Sequence, residues 1–215
     1  MLTYIDYPNR EEWLKCRIDG LGASEVACVL WEGFQTAVQL WEEKTGIKQH
    51  KEFQNDKRVD YGSNAEEYLR ALFSLKNKDK YKVEYNPYRV YLNEKYRFLR
   101  ATLDGELINL FNNEKGVWEC KTVWIMSKRE LEQWNGKIPQ KYYIQVLEQL
   151  CVTKYKFAVV TVELIFPDGN SEIRNYTIER TEQVEMDIQH VETEAVKFWT
   201  EYVIPKKKPP IKIKL

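Results

Sequence analysis

Apolar positions in the first third of the chain recur three or four apart, in short runs separated by polar turns, which predicts helices there. Asn9 and Glu12 form a candidate capping pair ahead of Trp13, Leu14 and Arg17. After the turn Gly-Leu-Gly-Ala-Ser24, Ser24 is placed to cap a helix through Ala27 and Leu30. Thr36 with Gln39 is placed to cap another through Leu40, Trp41 and Lys44, ended by Gly46. The charged stretch Gln49 to Asp60 reads as a loop. Ser63 and Glu66 then match an S-x-x-E capping box at the head of a helix with Ala65, Leu69, Leu72 and Phe73 on one side. The period then shortens. Tyr81 to Leu92, Phe98 to Leu103, Glu106 to Leu110 and Gly116 to Val123 predict a meander of strands, with Asn112 and Asn113 turning between the last two. Helical spacing returns from Pro139 to Leu150. Two strands follow, Lys156 to Phe166 and Glu172 to Ile178, around the turn Pro167-Asp168-Gly169. A final helix, Thr181 to Tyr202, carries the stripe Val184, Ile188, Val191, Ala195 and Phe198. This mixture predicts an α/β or α+β protein.

Composition narrows the class. The 215 residues are enough for one domain, expected over 1–204 and followed by a basic tail at 205–215. With 43% hydrophobic and 31% charged residues, disorder and fibrous structure are excluded. No apolar run approaches a membrane span and the first residues lack a signal-peptide core, so a cytoplasmic protein without membrane association is expected. Cys16, Cys28, Cys120 and Cys151 are scattered, and His50 and His190 stand alone, a pattern that argues against zinc or iron–sulfur binding. Charges balance at 33 against 33, but Lys206, Lys207, Lys208, Lys212 and Lys214 crowd the tail and leave the rest five units negative. The tail is read as a solvated, disordered terminus, with phosphate or subunit contact as the alternative. A neutral total is compatible with nucleic-acid binding, because local basic strips meet phosphate while carboxylates gather elsewhere to hold metal.

The richest stretch is Phe98 to Val123. By the period of two, Val117, Glu119, Lys121 and Val123 share one face of their strand. Alone, the acid and lysine would make a surface ion pair. Asp104, fifteen positions earlier across an expected hairpin, changes the reading: two carboxylates can converge on a divalent ion beside a lysine. Oxygen ligands suit Mg²⁺, which binds one or two carboxylates, keeps several waters and contacts substrate phosphate. Mn²⁺ fits the same ligands. Such a centre favours phosphodiester hydrolysis, with Lys121 orienting the water. Cys120 has no histidine placed to activate it and reads as a buried strand residue.

Further blocks accompany these residues: Gly22-Ala-Ser24, Leu40-Trp-Glu-Glu-Lys-Thr-Gly46, Gly62-Ser-Asn-Ala-Glu66, Ala101-Thr-Leu-Asp104-Gly105, Trp118-Glu119-Cys-Lys121-Thr122, and Pro139 through Gln145 to Leu150. In order and spacing the chain resembles the PD-(D/E)xK nucleases, and within them the phage-type exonucleases of the lambda exonuclease and YqaJ group. The resemblance implies a restriction-endonuclease-like core, a central mixed β-sheet flanked by helices. It implies that Asp104 and Glu119 bind metal, with two ions expected, the Cys120 carbonyl as a further ligand, Glu66 as the acid from the preceding helix and Gln145 as the active-site glutamine. Glu66 fits equally a helix-capping role. Lys141 and Gln149 share the face of Gln145 and are candidate DNA contacts, or simply polar residues on an exposed side. Ser24, at a helix start, and Arg17 are candidates for a terminal 5′-phosphate, with an ordinary cap and a surface arginine as the alternative. Leu103 stands where the motif's proline would be, and Gly-Ala-Ser-Glu25 where many relatives carry Gly-Gly-Ser-Asp. Neither removes an expected ligand.

The activity implied is a Mg²⁺-dependent 5′ to 3′ exonuclease on double-stranded DNA ends, leaving a 3′ single strand. Its implied partners are a single-strand annealing protein and further copies of itself, a ring-shaped trimer being known in the group. An endonuclease with the same metal core and an inactive DNA-binding module are the alternatives. Iron–sulfur nucleases of the superfamily rank last, for want of the cysteine set. The tryptophans, Trp118, Trp124 and Trp199 among them, are assigned to packing rather than to DNA.

Overall fold

The computed structural model describes residues 2–30, 32–48 and 57–211. In chain order the elements are β1 (Thr3–Asp6), α1 (Arg10–Cys16), β2 (Leu21–Gly22), α2 (Ala23–Val29), α3 (Ala37–Lys44), α4 (Lys57–Lys76), β3 (Tyr81–Glu84), β4 (Arg89–Leu92), β5 (Leu99–Ala101) and β6 (Gly105–Asn109). They continue with β7 (Lys115–Trp124), α5 (Lys128–Glu132), α6 (Gln140–Thr153), β8 (Phe157–Ile165), β9 (Ser171–Glu179) and α7 (Glu182–Phe198), which runs on into a π-helical turn, Trp199–Val203.

The fold is mixed α/β, with two mixed sheets. The larger has the order β3-β6-β7-β8-β9 and the smaller β1-β4-β5-β2. In the larger sheet only β7 and β8 run parallel, with Glu119 opposite Val160 and Lys121 opposite Val162. A parallel pair needs a crossover, and α5 with α6 provides it, laying α6 over one face of β7. The core divides accordingly. Val117, Ala158 and Val160 pack with Leu147 and Leu150 of α6 and with Ile188 of α7. On the opposite face Trp118, Cys120, Phe157 and Val159 pack against Leu69 and Phe73 of α4. Covered on both faces, β8 is a continuous apolar run, Phe-Ala-Val-Val, as a central strand requires.

Several expectations hold. Asn9 accepts a hydrogen bond from the Glu12 N–H, Thr36 and Gln39 form a reciprocal capping box, and Gly46 takes the left-handed conformation just past α3 (φ +75°). Others are corrected. The stretch Tyr81–Leu92 is two strands in two different sheets, broken at Asn86-Pro87-Tyr88, where Pro87 has no N–H to offer and Tyr88 has φ +60°. The simple meander is thereby lost. Ser63 and Glu66 do not open a helix: α4 starts at Lys57, so the expected loop ends there, its residues 49–56 lying outside the described residues along with His50. Gly62, which suggests a break in the sequence, lies within α4 because the helix presses on β7. A Cβ at Gly62 would stand 2.9 Å from Thr122 Oγ1. Ser24 does not cap α2 either. Gly22 is the N-cap residue, and its N–H donates to Glu25 Oε2 at 2.8 Å. In the tail, Lys206, Lys207 and Lys208 are exposed, whereas Lys212 and Lys214 lie outside the described residues. The N–H of Lys207 donates to the Tyr202 carbonyl, which ties the start of the tail to the π-helical turn.

Candidate active site

Strand β7 outruns its neighbour: the β6–β7 ladder stops at the pair Gly105–Trp118. The next N–H on that side, that of Cys120, donates instead to Asp104 Oδ2 at 2.8 Å. Asp104, between β5 and β6, is thus held against the middle of β7. One position before Cys120, on the α6 face of β7, the Glu119 side chain is 2% exposed. Its carboxylate accepts from Gln145 Nε2 at 2.6 Å and from Lys121 Nζ on Oε1, and from Gln149 Nε2 at 2.5 Å on Oε2. Gln149 also donates to the Thr102 carbonyl, at 3.2 Å. The alternation expected for β7 therefore holds, and α6 turns Gln145 and Gln149 inward rather than to solvent. Gln149 is completely buried, so its side chain orients Glu119 and is not available to touch DNA.

Electrostatics follow from this crowding. Burial, and then the charge of Glu119, push the Asp104 carboxyl well above the usual carboxylate range. Burial would lower the Lys121 ammonium, but Glu119 and Asp104 outweigh it and raise its pKa, so Lys121 is a donor at neutral pH. Burial and the two acids push the Cys120 thiol up, which leaves no thiolate for a soft metal. Glu66 lies in the third turn of α4 and accepts from Arg70 Nη1 at 2.9 Å; the same nitrogen donates to the Asp104 carbonyl at 2.8 Å. Arg70 stacks on Tyr85, its guanidinium carbon 3.7 Å from the ring centroid. Arg70, four residues after Glu66, was detectable from sequence by the i,i+4 rule.

Glu66, Asp104, Cys120 and Lys121 line one open cleft of about 530 Å³, walled by Arg58 and Trp124 on one side and by Phe34 and Tyr142 on the other. Arg58, Phe34 and Tyr142 had no sequence signal, and Trp124 lines the cleft instead of serving only in packing. Gln145, which donates to Glu119, also lines a smaller pocket of about 110 Å³ together with Arg17, Ser24, Arg100 and Thr102. There Glu25 is the anchor, bonded to Lys44 Nζ at 2.7 Å and 3.8 Å from Arg17 Nη2. Lys141 is turned to the first cleft, its ammonium 4.4 Å from the Phe34 ring centroid.

The donor set fits a hard divalent cation. Two carboxylates repel each other beside a single lysine, and a cation at their oxygens relieves that repulsion. Among the described residues no group of three or more His, Cys, Asp or Glu side chains is placed to hold a metal ion.

The fold and this cleft define a nuclease-type α/β architecture. It is similar to an alkaline exonuclease from Laribacter hongkongensis, alone and in its complex with dAMP, each with a TM-score of 0.64 and 18% identity, covering 92% of this chain and 97% of that one. A phage-related exonuclease from Haemophilus somnus 129PT is also similar, with a TM-score of 0.55 and 13% identity over 87% of this chain and 96% of that one. The sequence profile of the YqaJ-like viral recombinase domain matches residues 12–156, and the chain belongs to that family. No curated protein gave a significant match. Among the described residues no helix is long and apolar enough to cross a membrane.

Proposed function

We propose that this protein is a divalent-metal-dependent exonuclease that degrades one strand of double-stranded DNA from its 5′ end, leaving a 3′ overhang for phage-type recombination. The chain is a nuclease, a hydrolase acting on DNA, and the YqaJ-like family suggests a divalent-metal requirement. The carrying observation is the convergence of Asp104, Glu119, Lys121 and Gln145 next to a small pocket containing Arg17 and Ser24.

Asp104 and Glu119 hold the metal, with the Cys120 carbonyl and Glu66 as further ligands; Mg²⁺ is the first choice, Mn²⁺ the second, and two ions the expected number. When bound, the metal lowers the pKa of water and neutralises charge on the scissile phosphate. Lys121 orients the attacking water by donating to it. Gln145 and Gln149 fix the Glu119 carboxylate so that its oxygens point the same way before and after metal entry. The pocket of about 110 Å³ at Ser24 is lined by two guanidinium side chains, Arg17 and Arg100, which supports recognition of a 5′-phosphate end. Residues 1–204 act as the nuclease domain with 205–215 as a basic tail. The partners are DNA ends, a single-strand annealing protein and further copies of the chain, a trimer among the forms expected, in the host cytoplasm.

The test is digestion of linear duplex DNA labelled at either the 5′ or the 3′ end, with Mg²⁺ or EDTA, beside a covalently closed circle and an Asp104→Ala control. Early release of 5′-labelled mononucleotides, dependence on Mg²⁺ and a spared circle are expected. A cut circle would replace this reading with an endonuclease, and no cleavage under Mg²⁺ or Mn²⁺ would reduce the protein to a binding module.

A further inference from the structure

The cleft above Asp104 has an aromatic, cationic wall that hydrolysis does not need. Phe34, in the connection from α2 to α3, is 67% exposed although it is a large apolar side chain. It is held in place: its ring lies 6.4 Å from that of Tyr142, and Tyr142 stacks at 5.5 Å on the buried Trp134. Lys141 is bracketed by the two outer rings, 4.4 Å from Phe34 and 4.7 Å from Tyr142. The facing wall, from the α4 side of the sheet, repeats the chemistry. Arg58 lies 5.7 Å from the centroid of Trp124, and Tyr61 meets Trp124 edge-on at 5.3 Å. Glu66, Asp104 and Lys121 line the same cleft between the walls.

We propose that Phe34 is a stacking platform for an unpaired nucleobase of the strand being cut, with Lys141 on the adjacent phosphate; this rests on the nuclease reading above. An exposed, buttressed ring next to a cation suits single-stranded nucleic acid, because every base has a π-face and every linkage a negative charge. A packing role would bury the ring, and a double helix cannot offer a base face except at its end. The site is therefore tolerant of sequence and selective for a frayed end, which places one unpaired base beside the scissile phosphate and lets the remaining duplex stay outside the cleft.

The test uses a 5′-phosphorylated duplex with 2-aminopurine as one of the first two bases of the 5′ strand. It is mixed with the full-length protein in EDTA to read base stacking by quenching, and in Mg²⁺ to read cleavage. Wild type is expected to quench the fluorophore, Phe34→Ala to lose the quenching and bind roughly tenfold more weakly, and Phe34→Trp to restore both. Phe34→Leu keeps apolar bulk without a π-face and is expected to behave like Phe34→Ala, which guards against a folding artefact. Equal quenching by wild type, Phe34→Ala and Phe34→Leu, or no quenching by wild type, would overturn the platform. Phe34-dependent quenching without cleavage by the wild type in Mg²⁺ would uphold the platform and sink the nuclease reading alone.

Discussion

Helix α6 borders two fully buried carboxylates whose surroundings are opposite. Glu119, reaching the helix from β7, receives three nitrogen donors, from Lys121, Gln145 and Gln149. Glu148, on the helix itself and 0% exposed, has no hydrogen-bond partner on either oxygen. A buried charge is tolerated only when paired and hydrogen-bonded. Glu119 meets that condition, its oxygens held by three donors in one orientation. Glu148 does not, and burial, reinforced by Glu192 of α7 and only weakly opposed by Lys154, pushes it up to about 8. One helix thus borders the same functional group in two forms, a fully hydrogen-bonded residue of the candidate site and a neutral, costly core residue, according to its donors.

The largest expected effect comes from removing the donors or the charge at the first carboxylate. Lys121→Ala is expected to lower kcat by on the order of 10²–10³-fold, the scale of losing one oriented donor in a dry site, while DNA binding persists. Wild-type cleavage by Lys121→Ala would cancel its assigned role. Gln149→Leu frees Glu119 Oε2 and leaves the Thr102 carbonyl without this donor. It is expected to cost on the order of 2 kcal/mol of stability and to raise the Mg²⁺ concentration needed for half-maximal rate about tenfold or more. A metal titration by activity, beside a denaturant melt, checks both.

The second carboxylate gives a pH effect of opposite sign to that of an ordinary salt-bridged acid. In the folded chain Glu148 keeps its proton up to about pH 8, whereas in the unfolded chain it ionises near 4.5. Below 4.5 both states are protonated and no penalty exists. Between 4.5 and 8 the unfolded state releases a proton the folded state retains, so stability falls as pH rises, and above 8 the loss is constant. Glu148→Gln imitates the protonated form. It is expected to match wild type near pH 4.5 and to exceed it at pH 8 by on the order of 4 kcal/mol, roughly 8–16 °C in Tm. Parallel pH profiles for the two proteins would contradict the assignment.

The contrast also marks what a sequence can disclose. The two-residue period of β7 put Glu119 and Lys121 on one face and Trp118 and Cys120 on the other, and Asp104 came from its spacing, because strand alternation is a local property. Gln145 and Gln149 were placed on one helix face, but the direction of that face depends on which side of the sheet the β7–β8 crossover lies, a tertiary matter. Gln145 therefore took its site role from the resemblance alone, Gln149 read as a DNA contact, and Glu148, three residues from Gln145 and next to Gln149, carried no mark of its burial. The head of α4 was misread because its charged first turns and Gly62 imitate a loop, although the glycine answers to the nearby Thr122. Phe34, Arg58 and Trp124 come from three separated segments, and only the assembled cleft joins them.

The smallest effect expected separates binding from chemistry on the polar side of α6. Lys141 lines up with Gln145 in the sequence, yet its ammonium stands over Phe34 and Tyr142 rather than Glu119. A phosphate contact there contributes one counterion to the salt dependence of DNA binding, since each neutralised phosphate releases condensed ions. Lys141→Gln is accordingly expected to reduce the slope of log K against log salt by about one, with affinity lowered uniformly across sequences. Fluorescence anisotropy with duplex ends in EDTA, repeated from low to moderate salt, measures that slope. An unchanged slope would remove Lys141 from the DNA path and leave its cation to the two rings, whereas a reduced slope would show that the helix divides its work along one face: Gln145 and Gln149 toward the carboxylate, Lys141 toward the phosphate chain.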